Sequence, residues 1–574
     1  MHKQHKGGRL FLVDGENLTI EEVIELGRSA PGEIRLALSN SAIKKIERAR
    51  DAITEMERKR LTIYGLNTGF GSNAEKVIPE SEIKLLQRFL IVSHAVGVGE
   101  PFKPEFVRAA MLIRANTLSR GNSGIRKAVV ETLIDMLNRG VTPYVPQRGS
   151  LGASGDLAPL SHTALSFTMD PREAHQKLER ELARRAKTGV RLTGGDYERA
   201  VKESGEAYLW ESGTWTKMSG IEAMARAGIE RIVLDAKEGL ALNNGCSFSA
   251  AVGCFDVYYG ERLQESADVI SALSVEALEG FESAFSPEIS GSRPHSGQIE
   301  VARRLRRYLK GSKLVSHIGQ IQNSANVMKD FQKVQDSYSL RCIPQVHGPV
   351  LDSLKYVRHT LEVEINSSTD NPLVFPDSGY LNKVFSGGNF HGEYLALGLD
   401  HLGNALGVLG NISERRVFKL ITSSISGGLP SFLITEAERN AGLMNGAMIM
   451  QYTAASLVSE DKVLSHPASA DSITSSEDKE DFVSMAPISA RKAYAILENV
   501  EYALAIELWC AIVGIRLRAK ESRQPGDVGR KSLRLLKDTI PEFSEDRVAY
   551  DEIEKIRCLI HDGTVAGLPG SASR

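Results

Sequence analysis

The chain has 574 residues, of which 42% are hydrophobic, enough to bury one extended core or several smaller ones. Its 70 basic residues nearly balance its 72 acidic residues, which argues against nucleic acid or an anionic membrane as the partner and favours a small neutral or zwitterionic ligand. The five scattered cysteines lack CxxC spacing, which argues against a disulfide framework or a zinc knuckle and indicates a reducing compartment.

Short apolar segments and a helix start predict a small mixed α/β region at the N-terminus, over about residues 1–120. The apolar run at residues 10–13 fits a short strand and is too short for the core of a secretory signal. Thr19 and Glu22 form a capping-box pattern at the start of a predicted helix. The glycine-rich residues 60–75 predict a flexible loop. No segment approaches the roughly 20 apolar residues of a membrane span, so we expect a cytoplasmic protein.

Helical periodicity dominates the remainder of the chain. From about residue 83, apolar residues recur at helical spacing, most clearly over residues 394–421 and 488–519, where they occupy more than one helix face. The sequence therefore predicts a mainly α fold, with a long central helical bundle over residues 121–574. A charged stretch at about residues 170–204 has the pattern of a surface insertion within that bundle.

The small-residue segment at residues 149–162, GSLGASGDLAPLSH, carries the most chemical information. A phosphate-binding loop needs a lysine after the last glycine, and Asp156 stands there instead. A nucleophile elbow needs a glycine at the second position after Ser154, and that position is again Asp156. A tight turn that caps the following helix fits the same residues, so the segment by itself leaves several interpretations open.

This segment resembles the signature of the aromatic amino-acid ammonia-lyase and aminomutase family, and the resemblance extends from about residue 10 to the C-terminus. It implies that Ala153, Ser154 and Gly155 cyclise autocatalytically into a methylidene-imidazolone, so that no external cofactor is needed. The Gly155 nitrogen attacks the Ala153 carbonyl, an approach that the absence of a Cβ assists, and Ser154 loses water to become an exocyclic alkene. Such an electrophile adds a substrate amine and makes it a better leaving group.

Three further motifs match residues that this family gathers around the electrophile. The motif IYGLNTGFG at residues 63–71 places the family's general base at Tyr64, which would abstract the β-proton of the substrate. Because a phenol has an ordinary pKa of about 10, this role needs positive potential nearby. Asn244 in EGLALNNG corresponds to an asparagine near the electrophile, and Phe390 in SGGNFHGE corresponds to a wall of the pocket.

The segment QDSYSLRCIPQ at residues 335–345 matches the family's carboxylate-binding motif. Arg341 corresponds to the arginine that grips the substrate carboxylate, and a guanidinium fork suits a carboxylate in bidentate fashion. Gln335 and Tyr338 correspond to active-site partners in the same motif.

Two positions favour histidine as the substrate. His94, in the pair Ser93-His94, is usual in the branch of the family that acts on histidine, although some tyrosine aminomutases also carry this pair. Glu480 stands where that branch has Glu and where the aromatic lyases and mutases have Gln. A carboxylate accepts an imidazole N–H, whereas a phenyl ring would leave it without a partner, so we expect histidine to give trans-urocanate and ammonia. Three neighbouring positions depart from the pattern of the branch, namely Lys479, Phe482 and Gly392.

Other functions remain open on the sequence alone. A tyrosine or phenylalanine lyase, or a 2,3-aminomutase, would use the same electrophile, and an inactive helical scaffold would keep only the fold. The thirteen histidines include no HExxH or comparable ligand cluster, so we expect no required metal. The family forms tetramers whose active sites draw residues from several subunits, and the resemblance therefore implies a homotetramer that acts on a small amino acid.

Overall fold

The chain forms two compact units in the computed structural model, which describes residues 9–172, 200–316, 335–379, 383–435, 442–542 and 545–570. The first unit contains Met1–Phe255, Arg358–Leu399 and Pro467–Arg491, and the second contains Asp256–Val357, Asp400–His466 and Lys492–Arg574. Most of the insertion predicted at residues 170–204 lies outside the described residues. The predicted division of the chain near residue 120 stays a prediction.

Helices dominate the described residues, which confirms the mainly α fold. The two longest predicted helices appear as Glu393–Ile421 and Ala486–Arg518, within two residues of their expected bounds. Among the described helices, none combines the length and the apolar character that crossing a membrane requires. The other helices of eight or more residues are Ile20–Arg28, Asn40–Arg58, Ile83–His94, Pro104–Ser119, Lys127–Asn138, Leu157–Phe167, Gly220–Ala227, Ser247–Ala277, Ser296–Leu309, Ile343–Glu364, Met448–Leu464, Asp527–Leu535 and Tyr550–His561. Shorter helices are Glu238–Asn243, Pro287–Ser292, Tyr338–Arg341 and Thr564–Gly567.

The strands are short, and all those in the described part of the chain belong to the first unit. Arg9–Val13 pairs in parallel with Ile34–Leu38, which confirms the strand predicted at residues 10–13. The largest sheet has three antiparallel strands, Val141–Pro143, Glu206–Glu211 and Thr214–Ser219. The remaining pairs are Val98–Pro101 with Pro146–Arg148, Thr168–Met169 with Ile232–Val233, and Leu373–Val374 with Val384–Phe385.

Local sequence signals explain where the first helix begins. The Glu22 amide donates to Thr19 Oγ1 at 3.2 Å, and the Thr19 amide donates to Glu22 Oε2 at 3.0 Å. These reciprocal bonds satisfy amide groups that the first turn of a helix leaves without partners, so the predicted capping box is confirmed. The glycine-rich residues 60–75 form the predicted loop, with one 3-10 turn at Gly71–Asn73.

The helix Pro104–Ser119 lies in the interior of the first unit. Every residue from Phe106 to Ser119 is buried, so the helix has no solvent-facing stripe. It nevertheless carries two arginines, Arg108 and Arg114, each of which is only 2% exposed. Long charged side chains are rarely buried unless their polar groups find partners, so this helix brings positive charge into the interior for a structural or chemical reason.

A buried ion pair organises the core of the second unit. Arg416 donates to both carboxylate oxygens of Glu507, from Nε at 2.6 Å and from Nη2 at 2.9 Å. The Ser274 hydroxyl donates to Glu507 Oε1 at 2.6 Å. This two-pronged geometry is the one in which the attraction of a buried pair offsets most of its desolvation.

Candidate active site

The segment that contains the predicted electrophile is a loop between the strand Pro146–Arg148 and the helix Leu157–Phe167. Three of its residues, Gly149, Gly152 and Gly155, have φ angles of +126°, +68° and +84°, which favour glycine. The loop is held on one side by residues 484–485: the Ser484 hydroxyl donates to Gly152 O at 3.2 Å, and the Met485 amide donates to Leu151 O at 2.9 Å. The tripeptide therefore has a conformation that its surroundings fix.

Gly155 meets Gly245 at a very close approach of two backbone segments. The Gly245 amide donates to Ser154 O at 3.0 Å, and the Asp156 amide donates to Gly245 O at 2.7 Å. A Cβ added to Gly155 would lie 2.3 Å from Gly245 O, and one added to Gly245 would lie 2.1 Å from the Thr369 carbonyl oxygen. Neither position therefore has room for a side chain, and Gly245 is a site residue that the sequence analysis missed.

The Ser154 carbonyl oxygen accepts two hydrogen bonds from neighbouring residues of one segment. Besides the Gly245 amide, the side chain of Asn244 donates to it from Nδ2 at 2.8 Å. Asn244 is 2% exposed, so both donors act away from bulk water. Two fixed donors on one carbonyl oxygen form the arrangement that stabilises negative charge on that oxygen. The structure thus brings the predicted Asn244 to the tripeptide.

The hydroxyl of Ser154 contacts the predicted substrate-selecting residue. Ser154 Oγ donates to Glu480 Oε1 at 2.9 Å. The other carboxylate oxygen, Glu480 Oε2, accepts a hydrogen bond from the Ser475 hydroxyl at 2.9 Å. Glu480 is thereby oriented by its own loop on one side and faces the tripeptide on the other.

Glu480 lies close enough to Tyr64 for its negative charge to affect the pKa of the phenol. Burial raises the pKa of Tyr64, and the negative charge of Glu480 raises it further, whereas the hydrogen bond from the Gly71 amide to the phenol oxygen, at 3.4 Å, lowers it. A phenol in this setting stays protonated near neutral pH. Phe70 packs edge-on against the Tyr64 ring, with ring centroids 6.5 Å apart.

His94, the last residue of the helix Ile83–His94, belongs to the same group. Burial lowers the pKa of its imidazole, and the charge of Glu480 opposes that shift. Ser93 Oγ lies 3.0 Å from His94 Nδ1. An imidazole with a lowered pKa is neutral near pH 7 and offers one donor and one acceptor. Glu480 therefore connects His94, Tyr64 and Ser154 into one site.

Asp156 is a second residue that the sequence analysis did not assign to the site. Its carboxylate accepts hydrogen bonds from both the amide and the hydroxyl of Ser249, each at 2.8 Å, in the first turn of the helix Ser247–Ala277. Burial raises the pKa of Asp156 to about 6, and the bonds from Ser249 limit that rise. Its position directly after the tripeptide was the available signal, which sequence reasoning used only to exclude other motifs.

Phe390 joins the site through its backbone, because the Cys246 thiol donates to Phe390 O at 3.0 Å. Close packing around Gly392 accounts for one departure from the family pattern. A Cβ at Gly392 would lie 2.9 Å from Ala486 Cβ and 3.0 Å from Ser484 Oγ, so the alanine that the histidine branch often has there would be crowded.

The other two departures lie on an exposed loop. The ring of Phe482 stacks on His391 with centroids 6.0 Å apart and an interplanar angle of 17°. Phe482 is 59% exposed, and Lys479 is exposed as well. Ser154 bonds to Glu480, Asn244 and Gly245, and neither Phe482 nor Lys479 is among these partners. The two changes therefore leave the hydrogen bonds of Ser154 intact.

The carboxylate-binding motif belongs to the second unit. Arg341 ends the short helix Tyr338–Arg341, and its guanidinium lies 4.6 Å from the centroid of the Tyr338 ring. Gln335 and Arg341 line a cavity of about 930 Å³, whereas Tyr338 is 71% exposed. The structure therefore brings eight predicted site residues together in the first unit and these three in the second, each group described by itself.

Known proteins resemble this chain over almost its whole length. A family model described as aromatic amino acid lyase matches residues 18–538. The histidine ammonia-lyase of Caldanaerobacter subterraneus subsp. tengcongensis is 42% identical over 554 residues, which cover 96% of this chain and 97% of that protein. The crystal structure of histidine ammonia-lyase from Trypanosoma cruzi has a TM-score of 0.81 and 38% identity, covering 98% of this chain and 95% of that one. Tyrosine aminomutase from Streptomyces globisporus has a TM-score of 0.83 and 32% identity, covering 97% and 98%.

Substitution of Glu480 should lower the pKa of Tyr64. Removing a neighbouring negative charge makes the phenolate easier to form, so Glu480→Gln should move the ionisation of Tyr64 to lower pH. The measurement is the phenolate absorbance of each protein against pH, minus that of the same protein carrying Tyr64→Phe. Glu477→Gln, which neutralises an exposed acid of the same loop, is the matched control and should leave the midpoint unchanged. An equal midpoint with and without Glu480 would contradict the electrostatic link.

Proposed function

This chain belongs to the aromatic amino acid lyase family, and we propose that it is a histidine ammonia-lyase that converts L-histidine to trans-urocanate and ammonia without an external cofactor. The observation that carries the proposal is the position of Ser154, whose carbonyl oxygen accepts two fixed hydrogen bonds and whose hydroxyl contacts Glu480. The first contact suits formation of the electrophile, and the second suits an imidazole substrate.

The tripeptide fits the methylidene-imidazolone of this family. The Gly155 nitrogen would bond to the Ala153 carbonyl carbon, whose oxygen leaves as water with the amide hydrogens of Gly155 and Ser154. Ser154 would lose its hydroxyl and its Cα hydrogen as a second water. The lack of a Cβ at Gly155 suits this closure, since that space is filled by Gly245. Once formed, the group supplies an electron-poor alkene to which a substrate amine adds.

Two donors prepare the ring for this chemistry. The Ser154 carbonyl carbon would become a ring atom and its oxygen the exocyclic carbonyl oxygen of the ring, and the hydrogen bonds from Asn244 Nδ2 and the Gly245 amide draw electrons towards that oxygen. Because both donors are in place before substrate arrives, no reorganisation is needed when negative charge develops on that oxygen. The helix Leu157–Phe167 begins directly after the tripeptide, and the partial positive charge of its N-terminus acts in the same direction.

Tyr64 is the proposed base that removes the β-hydrogen of the substrate. A raised pKa makes its phenolate a strong base but a rare one at neutral pH, so positive charge must approach it in the working complex. The cationic groups of this proposal are the substrate ammonium and Arg341, which would grip the substrate carboxylate with Gln335 and Tyr338 beside it.

Loss of the Ser154 hydroxyl would also prepare Glu480 for the substrate. In the uncyclised chain Oε1 of Glu480 is occupied by that hydroxyl, while Oε2 is held by Ser475. When the hydroxyl leaves as water, Oε1 loses its donor and becomes free to accept an imidazole N–H. His94, with its neutral ring beside Glu480, supplies a second polar contact for the imidazole. A phenyl side chain offers no hydrogen-bond donor at this position, so the proposal favours histidine over phenylalanine.

The direct test combines mass spectrometry of the purified protein with an absorbance assay for urocanate. We expect the tripeptide-containing peptide to lack two waters and urocanate to accumulate from L-histidine. Cinnamate or coumarate from another amino acid, with none from histidine, would overturn the substrate. A β-amino acid in place of ammonia would point to the mutase reaction of the tyrosine aminomutase, whose fold this chain shares at a TM-score of 0.83.

Glu480→Gln should weaken recognition of the imidazole selectively. Replacing a charge-assisted hydrogen bond with a neutral one should lower kcat/KM for histidine by about 10- to 100-fold. The inhibition constant of urocanate should rise by a similar factor, whereas that of cinnamate, which has no imidazole, should change little. Glu477→Gln on the same loop is the control and should alter neither. An equal loss of affinity for urocanate and cinnamate would contradict the role of Glu480 in substrate choice.

We propose that the working enzyme is a homotetramer with shared active sites. Several large apolar side chains of the second unit are exposed in the single chain, which supports self-association. They include Ile449, Tyr452 and Val463 on the helix Met448–Leu464, at 54%, 60% and 73% exposure. Burying such surface against further copies would remove it from water.

Mixed oligomers should reveal whether sites are shared. Tyr64→Phe and Arg341→Met chains should each be inactive alone, because one lacks the base and the other the carboxylate anchor. Coexpressed in equal amounts, they should regain about a quarter of the wild-type activity, the fraction that random assembly gives when the two residues come from different subunits. Two results would contradict shared sites: a fully active protein that light scattering shows to be a monomer, or coexpressed variants that regain no activity.

A further inference from the structure

One peptide group lies between a buried arginine and the Ser154 carbonyl oxygen. Arg114 Nη1 donates to Asn244 O at 2.5 Å. The same peptide group carries the Gly245 amide, which donates to Ser154 O at 3.0 Å. The hydrogen bonds therefore run in one direction, from the guanidinium through the Asn244–Gly245 peptide to the oxygen that becomes part of the electrophile.

Among the described residues, Arg114 donates its hydrogen bonds to backbone oxygens and not to a carboxylate. Its second acceptor is the Thr369 carbonyl oxygen, at 3.2 Å from Nη1. Within the part of the chain that the structure describes, Nε and Nη2 have no hydrogen-bond partner. The nearby Asp370 is already paired with Lys237, at 2.8 Å, and Asp156 binds Ser249. A guanidinium keeps its proton even when burial lowers its pKa, so a positive charge remains beside the peptide.

The absence of a side chain at Gly245 leaves room for Arg114 beside the Asn244–Gly245 peptide. A Cβ on Gly245 would lie 2.7 Å from Arg114 Nη1, and Gly245 has a φ of +111°. Gly245 thus serves two close approaches, one to the tripeptide and one to Arg114. Burying an arginine that has only backbone acceptors is unfavourable for stability, and Arg108 is buried in the same way. The feature that distinguishes Arg114 is that its acceptor peptide itself donates to Ser154 O.

We propose that Arg114 is a positioning residue that polarises the Asn244–Gly245 peptide and so strengthens the hydrogen bond to Ser154 O. Hydrogen bonds in a chain polarise one another in a low-dielectric interior, and a donor that is itself bonded to a cation at its carbonyl end becomes a stronger donor. The consequence is a more electron-poor alkene at the Ser154 Cβ. The proposal rests on the proposed function, because it requires that the tripeptide cyclise.

The test measures the electrophile without using substrate turnover. Cyanide adds to an electron-poor alkene: its lone pair bonds to Ser154 Cβ, the alkene electrons move to Ser154 O, and a proton from water then bonds to Ser154 Cα. The protein gains the mass of one HCN. The rate of this mass gain is counted only over chains that have lost two waters, so that poor folding or incomplete cyclisation does not enter the comparison.

Three variants distinguish polarisation of the Asn244–Gly245 peptide by the charge of Arg114 from mere packing support by its side chain. Arg114→Met removes the charge and both hydrogen bonds. Arg114→Lys keeps a charge with fewer donors. Arg108→Met is the matched control, because Arg108 lies on the same helix, is equally buried, and among the described residues donates only to Leu137 O and Leu26 O, each at 3.3 Å.

We expect cyanide addition to be about tenfold slower in Arg114→Met, less than the loss expected from removing a direct donor, and to recover to within about threefold of wild type in Arg114→Lys. Arg108→Met should react at the wild-type rate. In the proposed reaction, kcat should fall in parallel while KM changes little. If the tripeptide of the Arg114→Met protein does not cyclise, the comparison is made with Arg114→Lys, which should add cyanide more slowly than wild type.

Equal rates in all cyclised variants would overturn the role of Arg114 and leave the proposed function standing. A similar slowing in Arg108→Met would likewise overturn it, since buried positive charge in general would then be responsible. A wild-type chain that retains both waters would instead overturn the proposed function.

Discussion

The close approach of residues 154–156 to residues 244–245 is the constraint on which the candidate site depends. Gly245 N donates to Ser154 O at 3.0 Å, and Asp156 N donates to Gly245 O at 2.7 Å, so each segment satisfies the other's backbone. No side chain fits between them, which is why both segments carry glycine at the point of contact. The approach aligns Asn244 with the Ser154 oxygen, so the donors around the tripeptide are set by main-chain geometry and are rigid before substrate binds.

Buried charge surrounds this contact and is arranged for chemistry more than for stability. Lys237 and Asp370 form an ion pair in which both side chains are at most 1% exposed, and the buried Arg114 donates to Asn244 O. Replacing such groups with well-packed apolar residues often leaves a protein as stable or makes it more stable. Violations of ordinary packing preferences indicate function, and one of them, the buried Arg114, is bonded to the peptide that donates to Ser154 O.

Local features of the fold were predictable because they arise between residues close in sequence. The capping box of Thr19 and Glu22 and the long helix Ala486–Arg518 follow from caps and apolar periodicity. The roles of Gly245 and Arg114 were not predictable, because Gly245 lies ninety residues beyond Gly155 in the chain, and an arginine that bonds only backbone carbonyls leaves no side-chain partner to recognise. The resemblance to a family supplied Asn244 and Glu480, but no motif indicated that Glu480 first holds the Ser154 hydroxyl.

That contact couples maturation to specificity in the proposed enzyme. Glu480 has two carboxylate oxygens, and in the uncyclised chain both are occupied, by the hydroxyls of Ser154 and Ser475. An imidazole N–H arriving at this stage would have to displace a hydrogen bond that already satisfies the carboxylate. Cyclisation would remove the Ser154 hydroxyl and leave one half-buried acceptor without a donor, which disfavours an empty or phenyl-filled pocket and favours a ring that brings an N–H. In the proposed enzyme, the step that creates the electrophile would therefore also create the binding site for the side chain of histidine.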